Sequence, residues 1–166
     1  MAKVLVCYYS RTGNTEKMAR AIAETIKKEG LEVALKRVED TAASELLDYQ
    51  GLIIGSPTYY GTMAWEVKKL LDESVKYHTK LKGRVGGAFT SSGNLAGGNE
   101  TTVLDILKAL MIHGMVVQGQ ERGDHYGPAA VGKPDARALK SCESYGRRLA
   151  ALIRKLFPVA TGDSDK

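Results

Sequence analysis

The segment Ser10-Arg11-Thr12-Gly13-Asn14-Thr15 has the composition of an anion cradle. Its three hydroxyls can donate to phosphate-type oxygens, Gly13 permits a close turn, and free amides at the start of a following helix converge on the same anion. Such a nest requires no lysine. The segment lacks the Gly-Lys-Ser/Thr ending of a triphosphate-binding loop and the widely spaced glycines of a dinucleotide fingerprint, which argues against both chemistries. The alternative is that Ser10, Thr12 and Thr15 simply cap the helix. That alternative must also account for two further polar, glycine-containing segments, at residues 57–61 and 90–99, each of which follows an apolar run.

The elements that position these segments are legible in the patterning. Residues 3–9 form a nearly continuous apolar run rich in valine, as expected of a strand covered on both faces. Met18, Ala19, Ile22, Ala23 and Ile26 then recur at helical spacing, with Gly30 as the stop. Residues 31–35 predict a second strand, 51–55 a brief buried third, 85–89 a fourth and 115–117 a fifth. Ser44 is expected to cap a helical turn carrying Leu46 and Leu47. Helices are predicted over residues 64–75, carrying Trp65, Leu70, Leu71 and Val75; through Val103, Ile106, Leu107, Leu110 and Met111; and from near Pro134 through Leu139, Cys142, Tyr145, Leu149, Leu152 and Ile153.

This alternation predicts an α/β fold, with right-handed crossovers placing helices on both faces of a parallel sheet. The polar segments then gather at one end of the sheet, where ligands of such folds bind. One domain is expected over residues 1–157, followed by a polar tail at 158–166.

Composition narrows the function classes. The balance of 43% hydrophobic and 26% charged residues is that of a globular domain. No apolar run is long enough to cross a bilayer, so the expected location is the cytoplasm. Cys7 and Cys142 sit in apolar patterns with neither a metal spacing nor a disulfide framework; buried thiols are expected and no metal. The net charge of +5 is spread over amphipathic faces and interleaved with acids, as at Glu24, Lys27, Lys28 and Glu29. With no recognition motif, direct nucleic-acid binding is not expected, whereas anionic small molecules suit the charge balance.

Ser10 through Thr15 resembles the phosphate-binding loop of flavodoxins. Pro57-Thr58-Tyr59-Tyr60-Gly61, Phe89-Thr90-Ser91-Ser92-Gly93 and Gly97-Gly98-Asn99-Glu100-Thr101-Thr102 narrow the resemblance to the flavodoxin-like NAD(P)H:quinone reductases of the tryptophan-repressor-binding-protein type. His113-Gly114-Met115 and Tyr126-Gly127 continue it across nearly the whole chain.

The resemblance implies a three-layer sandwich around a five-stranded parallel sheet of order 2-1-3-4-5. It implies FMN as cofactor, NAD(P)H as donor and two-electron reduction of a quinone. Ser10, Arg11, Thr12, Gly13, Asn14 and Thr15 would hold the FMN phosphate. Pro57, Thr58, Tyr59, Tyr60 and Gly61 would line the ring, Thr58 through a polar contact and Tyr59 or Tyr60 through an aromatic surface. Thr90, Ser91, Ser92 and Gly93, with Asn94, Gly97 and Gly98, would form the second ring-facing loop.

His113 would be the active-site histidine, reaching the ring from a neighbouring subunit or positioning an acceptor; the competing expectation is a histidine that ends the preceding helix. A homotetramer is also implied. Leu95-Ala96 and the short 118–134 loop depart from the family's spacing. Two other outcomes stay open, an electron carrier for redox-protein partners and a non-catalytic flavin-binding regulator. The basic charge differs from the acidic character typical of bacterial flavodoxins.

Overall fold

Val4, Leu5, Val6 and Cys7 have no exposed surface because β1 (Lys3–Tyr8) lies between two parallel neighbours and beneath helices on both faces. The computed structural model describes residues 1–158, so most of the expected polar tail lies outside the described residues. Beside β1 run β2 (Glu32–Arg37) and β3 (Gly51–Tyr59), and β5 (Val85–Ser92) pairs with the far side of β3. The two-residue β4 (Thr62–Met63) folds back antiparallel onto β3.

The fifth sheet position is shared by two short strands. β6 (Val116–Val117) pairs with Val85 and Gly86, whereas β7 (Ala129–Val131) pairs with Thr90, Ser91 and Ser92. The path β2-β1-β3-β5-β6 preserves the expected order of the five parallel positions, but the last strand is interrupted by residues 118–128. The interruption removes the ladder partner of Ala88, and its N–H instead donates to the Tyr145 hydroxyl at 2.9 Å. Burial pushes the Tyr145 phenol up to about 12, so it stays protonated. Gly127 passes this edge so closely that a Cβ there would lie 2.1 Å from the Ala88 carbonyl oxygen, which excludes any other residue.

One face of the sheet is covered by α1 (Asn14–Lys28) and α4 (Ala136–Leu156), which bury Met18, Ile22, Ile26, Cys142, Leu149 and Ile153. The other is covered by α2 (Trp65–Glu73) and α3 (Asn99–Ile112), which bury Val67, Leu70, Leu71, Val103, Ile106 and Leu110. Full burial of each such aliphatic side chain contributes about 1.5–3 kcal/mol. Both cysteines are buried free thiols, pushed up to about 12 by desolvation and therefore unreactive. Among the described residues no helix is long and apolar enough to cross a membrane.

Several expectations are corrected. β3 continues through Pro57 to Tyr59 rather than ending at Gly55. β1 pairs with β3 only as far as Gly55, so Pro57 lies on an edge where its missing N–H interrupts no ladder. β5 likewise runs on through Thr90, Ser91 and Ser92. Ser44 caps nothing: in the 3₁₀ turn Ala43–Asp48 the Ala42 N–H donates to Glu45 Oε1 at 2.9 Å. Trp65, the first residue of α2, and Val75, in the 3₁₀ turn (Ser74–Tyr77) that follows the helix end at Glu73, are about two-thirds exposed.

Candidate functional site

The C-terminal ends of β1, β3 and β5 lie side by side, and the first polar segment leaves from β1. The buried Ser10 hydroxyl accepts the Gly13 N–H at 3.1 Å, and Arg37 Nη2 donates to the Ser10 carbonyl at 2.9 Å. Arg37 in turn lies 5.7 Å and 5.9 Å from the Tyr8 and Tyr9 ring centroids, which fixes the guanidinium under the loop. Gly13, at φ +91°, is the N-cap of α1, and no side chain caps that helix. Thr12 and Arg11 project into solvent, and Thr15 Oγ1 lies 2.9 Å from Ser91 Oγ. None of the three hydroxyls does what the capping alternative requires. The first-turn amides of α1 are left for an acceptor from outside the helix.

The second segment is a hairpin. Tyr60 and Gly61 join β3 to β4 with φ values of +49° and +81°, the pattern of a two-residue hairpin turn with both central residues left-handed. Tyr60 is held there despite the steric cost to a non-glycine residue, and its side chain is fully exposed at the apex.

Beneath the hairpin runs a chain of hydroxyls. Thr90 Oγ1 donates to the Ser56 carbonyl at 2.7 Å, Thr58 Oγ1 lies 3.0 Å from Thr90 Oγ1, and Thr102 Oγ1 donates to Thr58 Oγ1 at 3.0 Å and to the Gly98 carbonyl at 2.8 Å. Each hydroxyl has one proton: that of Thr90 goes to the Ser56 carbonyl, so Thr90 accepts from Thr58, and the single Thr102 proton is shared between Thr58 Oγ1 and the Gly98 carbonyl. Thr58 therefore keeps accepting capacity only, and Thr90, with no exposed surface, contacts no ligand through its side chain. Ser92 is also turned inward, donating to the Asn94 carbonyl at 2.9 Å and accepting from Asn99 Nδ2 at 2.8 Å. The third segment thus offers its exposed backbone at Gly93 and Asn94 and the exposed Leu95, rather than the hydroxyls expected from sequence.

The two ring-facing segments touch. A Cβ on Gly98, at φ +103°, would lie 2.6 Å from Gly61 Cα, and Thr101 Oγ1 donates to the Gly61 carbonyl at 2.5 Å. Asn14 lies half-exposed and Gly97 exposed at the same end of the sheet. Thr101 and Thr102 escaped the sequence reading as site residues because hydroxyls in the first turn of a helix look like ordinary helix-surface groups.

His113 is not brought to this end. It is the C-cap of α3, whose fourteen residues rise about 21 Å from the Gly98 end at 1.5 Å each. Its Nε2 lies 2.8 Å from Ser74 Oγ. Ser74 donates its own proton to the Leu71 carbonyl at 2.6 Å, so Nε2 carries the imidazole proton and Nδ1 is left buried without a partner. Burial first, and the nearby His78 second, lower its pKa. Within one chain His113 is a structural histidine, as the competing expectation had it.

Beside the third segment lies a cleft of about 730 Å³, bounded by Leu95, Ala96 and Val103 on one wall and by Tyr126, Ala129 and Val131 on the other. Asp124 organises its outer rim: its carboxylate receives Arg137 Nη1 at 3.0 Å, Ser141 Oγ at 2.7 Å and the Ala129 N–H at 3.2 Å. His125 is exposed, with Nδ1 2.8 Å from the Gln120 carbonyl.

Residues 6–111 match the flavodoxin family model, well over half of the chain. The chain belongs to the flavodoxin family. Among its relatives, an NAD(P)H dehydrogenase (quinone) of Archaeoglobus fulgidus is 34% identical, with 94% of this chain and 100% of the relative covered. A flavodoxin of Aquifex aeolicus is 40% identical, with 92% and 88% covered. Among solved structures, a WrbA-like flavodoxin protein from Agrobacterium tumefaciens has a TM-score of 0.80 at 27% identity, covering 93% of this chain and 99% of that one. An archaeal flavodoxin has a TM-score of 0.77 at 27% identity, covering 92% and 99%. The uncapped α1 N-terminus and the two touching ring-side segments of this flavodoxin-family chain lie together at the carboxyl ends of the parallel strands, the usual ligand position in such sheets.

Proposed function

We propose that this flavodoxin-family chain is an FMN-dependent NAD(P)H:quinone oxidoreductase. The observation that carries the reading is the α1 N-terminus, which no side chain caps although three hydroxyl residues surround it. That is the donor set a phosphate monoester fits: the first-turn amides of Asn14 and Thr15 with the hydroxyl of Thr12. Ser10 shapes the turn by accepting the Gly13 N–H, and its own hydroxyl proton remains available to the phosphate. Tyr59, Tyr60 and Gly61 on one side and Gly93, Asn94, Gly97 and Gly98 on the other hold the ring. Their mutual position is set by the Thr102–Thr58–Thr90 chain, which is complete before any ligand arrives.

FMN, when bound, supplies hydride acceptance from the nicotinamide and two-electron delivery to the quinone. The exposed backbone at Gly93 and Asn94 would supply donors to the ring edge, with no titratable side chain of the described chain required at the reacting atoms. The relatives named NAD(P)H dehydrogenase (quinone) support this activity. A homo-oligomer, a tetramer in the family pattern, and a cytoplasmic location belong to the same proposal; sedimentation velocity tests the first. In such an assembly a neighbouring copy is the only source from which a His113 side chain reaches the ring.

A second reading, an electron carrier that docks to redox proteins, is favoured by the flavodoxin relatives and by the exposed Tyr60 and Trp65 beside the ring-side hairpin. Rapid mixing separates the two. Anaerobic bleaching of FMN-loaded protein by NADH or NADPH, followed by reoxidation with a quinone at catalytic rates, is the expected result. Failure of both nicotinamides to bleach the flavin, with rapid one-electron exchange to a redox protein, establishes the carrier instead.

A further inference from the structure

The turn between β1 and α1 is supported from outside. Arg37, the last residue of β2, stands in register with Tyr8 of β1, and its side chain reaches past the end of β1 to donate from Nη2 to the Ser10 carbonyl at 2.9 Å. The guanidinium lies 5.7 Å and 5.9 Å from the Tyr8 and Tyr9 ring centroids, within cation–π range of both. Nη2 also donates to Glu39 Oε1 at 3.0 Å, and Nη1 stands 4.0 Å from Glu16 Oε2. A carbonyl, two rings and two carboxylates thus hold one half-buried side chain in place.

The contact to Ser10 orients the backbone of the turn. The Ser10–Arg11 peptide is trans and planar, so its carbonyl and its N–H point in opposite directions. With the carbonyl drawn towards Arg37, the Arg11 N–H is turned to the other side, where it donates to no protein acceptor among the described residues. The Thr12 N–H is likewise without one. A carbonyl oxygen facing a phosphate repels it. Withdrawing this one removes an opposing dipole and adds a donor.

Arg37 is not itself the cation that meets the anion. Its Nη2 is shared between Ser10 and Glu39, and Glu39 and Glu16 stand beside its charge. We propose that Arg37 is a positioning residue for the flavin phosphate: through the Ser10 carbonyl it sets the Arg11 N–H beside the first-turn amides of α1 and completes the anion nest. The inference rests on the proposed function. The hydrogen bond from Glu39 also holds the guanidinium above its ordinary pKa, so the support is charged at every pH at which the protein folds. Lysine is a poor substitute, because the planar fork reaches the carbonyl while lying against two rings.

The test is fluorescence titration of the FMN-free protein with FMN and with riboflavin, in wild type, Arg37→Met, Arg37→Lys and Glu39→Gln. Arg37→Met is expected to raise the FMN dissociation constant about tenfold or more, the scale of a lost charge-assisted hydrogen bond, and to leave that of riboflavin within about twofold. Arg37→Lys, which keeps a charged donor without the fork, should fall between. Glu39→Gln breaks the ion pair and spares the Ser10 contact, so both flavins should bind within about twofold of wild type. Equal losses for FMN and riboflavin in Arg37→Met make the residue merely structural and overturn the proposal. Unchanged FMN affinity in Arg37→Met, or an equal loss in Glu39→Gln, overturns it too. Titration with inorganic phosphate, read by NMR at the Arg11 amide, separates it from the functional reading. If wild type binds neither flavin, that reading fails; a phosphate-induced shift of the Arg11 amide that Arg37→Met abolishes still supports the positioning role, and no shift in wild type overturns it.

Discussion

The hydroxyl of Thr15, at the start of α1, lies 2.9 Å from the hydroxyl of Ser91, near the end of β5, and both residues are buried. This bond ties the turn at the start of α1 to the end of β5 across 76 positions of sequence. Thr15→Val keeps the shape and leaves the Ser91 hydroxyl without its partner. The expected cost is about 1–3 kcal/mol of unfolding free energy, read by urea denaturation, with weaker FMN retention alongside. Thr15→Ser should recover most of both. Wild-type stability in Thr15→Val would show that the bond contributes nothing.

Thr102 heads the hydroxyl chain that spans β3, β5 and α3. Thr102→Val removes the proton that its hydroxyl directs at Thr58 and at the Gly98 carbonyl, and a loss of about 1–3 kcal/mol is expected in thermal or urea unfolding. Because the chain also sets the spacing of the ring-side segments, the FMN dissociation constant should rise, and Thr102→Ser should restore it. Loss of stability with unchanged FMN affinity would separate the chain from cofactor positioning.

Gly98 allows the two ring-side segments to touch. Gly98→Ala forces a Cβ into the Gly61 backbone from a left-handed conformation, so both the clash and the strain act. Destabilisation of about 1–3 kcal/mol is expected in the FMN-free protein. A neutral outcome would mean that the hairpin yields freely.

The turn between β1 and α1 was legible in sequence because Ser10 to Thr15 interrupts a strand-like run just before a helical pattern, a local signal that survives without tertiary context. The ring-side segments were legible as places but not as contacts. Their hydroxyls read as ligand donors, whereas Thr58, Thr90 and Ser92 satisfy one another, and only the packing of Thr102 against them reveals it. The split fifth strand was hidden because Ala129, Ala130 and Val131 form a three-residue strand inside a glycine-rich stretch, held by pairing with β5 rather than by any pattern of their own. The distance of His113 from the other segments was not legible because a motif match carries no distance, although the length of α3 puts it at the other end of the sheet within one chain. Trp65 opens α2 and still faces solvent, because spacing fixes a face without saying which neighbour covers it, and Val75 faces solvent beyond the helix end at Glu73.

His113 predicts a pH effect on stability. Its folded pKa is lowered from the ordinary histidine value by burial and by His78, so the unfolded chain binds its proton more readily than the native one. Its contribution is fully present above about pH 6.5, the unfolded value, and is lost as pH falls towards the lowered folded value. His113→Gln, which keeps a donor for Ser74 and cannot titrate, should flatten the stability profile between about pH 7 and 5 in urea titrations. An identical slope in wild type and variant would contradict this role.

The central claim is that the uncapped N-terminus of α1 holds the phosphate of FMN. Equilibrium titration of the FMN-free protein with FMN and with riboflavin, followed by flavin fluorescence, tests it most directly because the two ligands differ only in that phosphate. FMN is expected to bind at least about tenfold more tightly, a difference of about 1.4 kcal/mol, with Thr12→Ala narrowing the gap. Equal affinity for the two flavins, or no binding of either, would contradict the account.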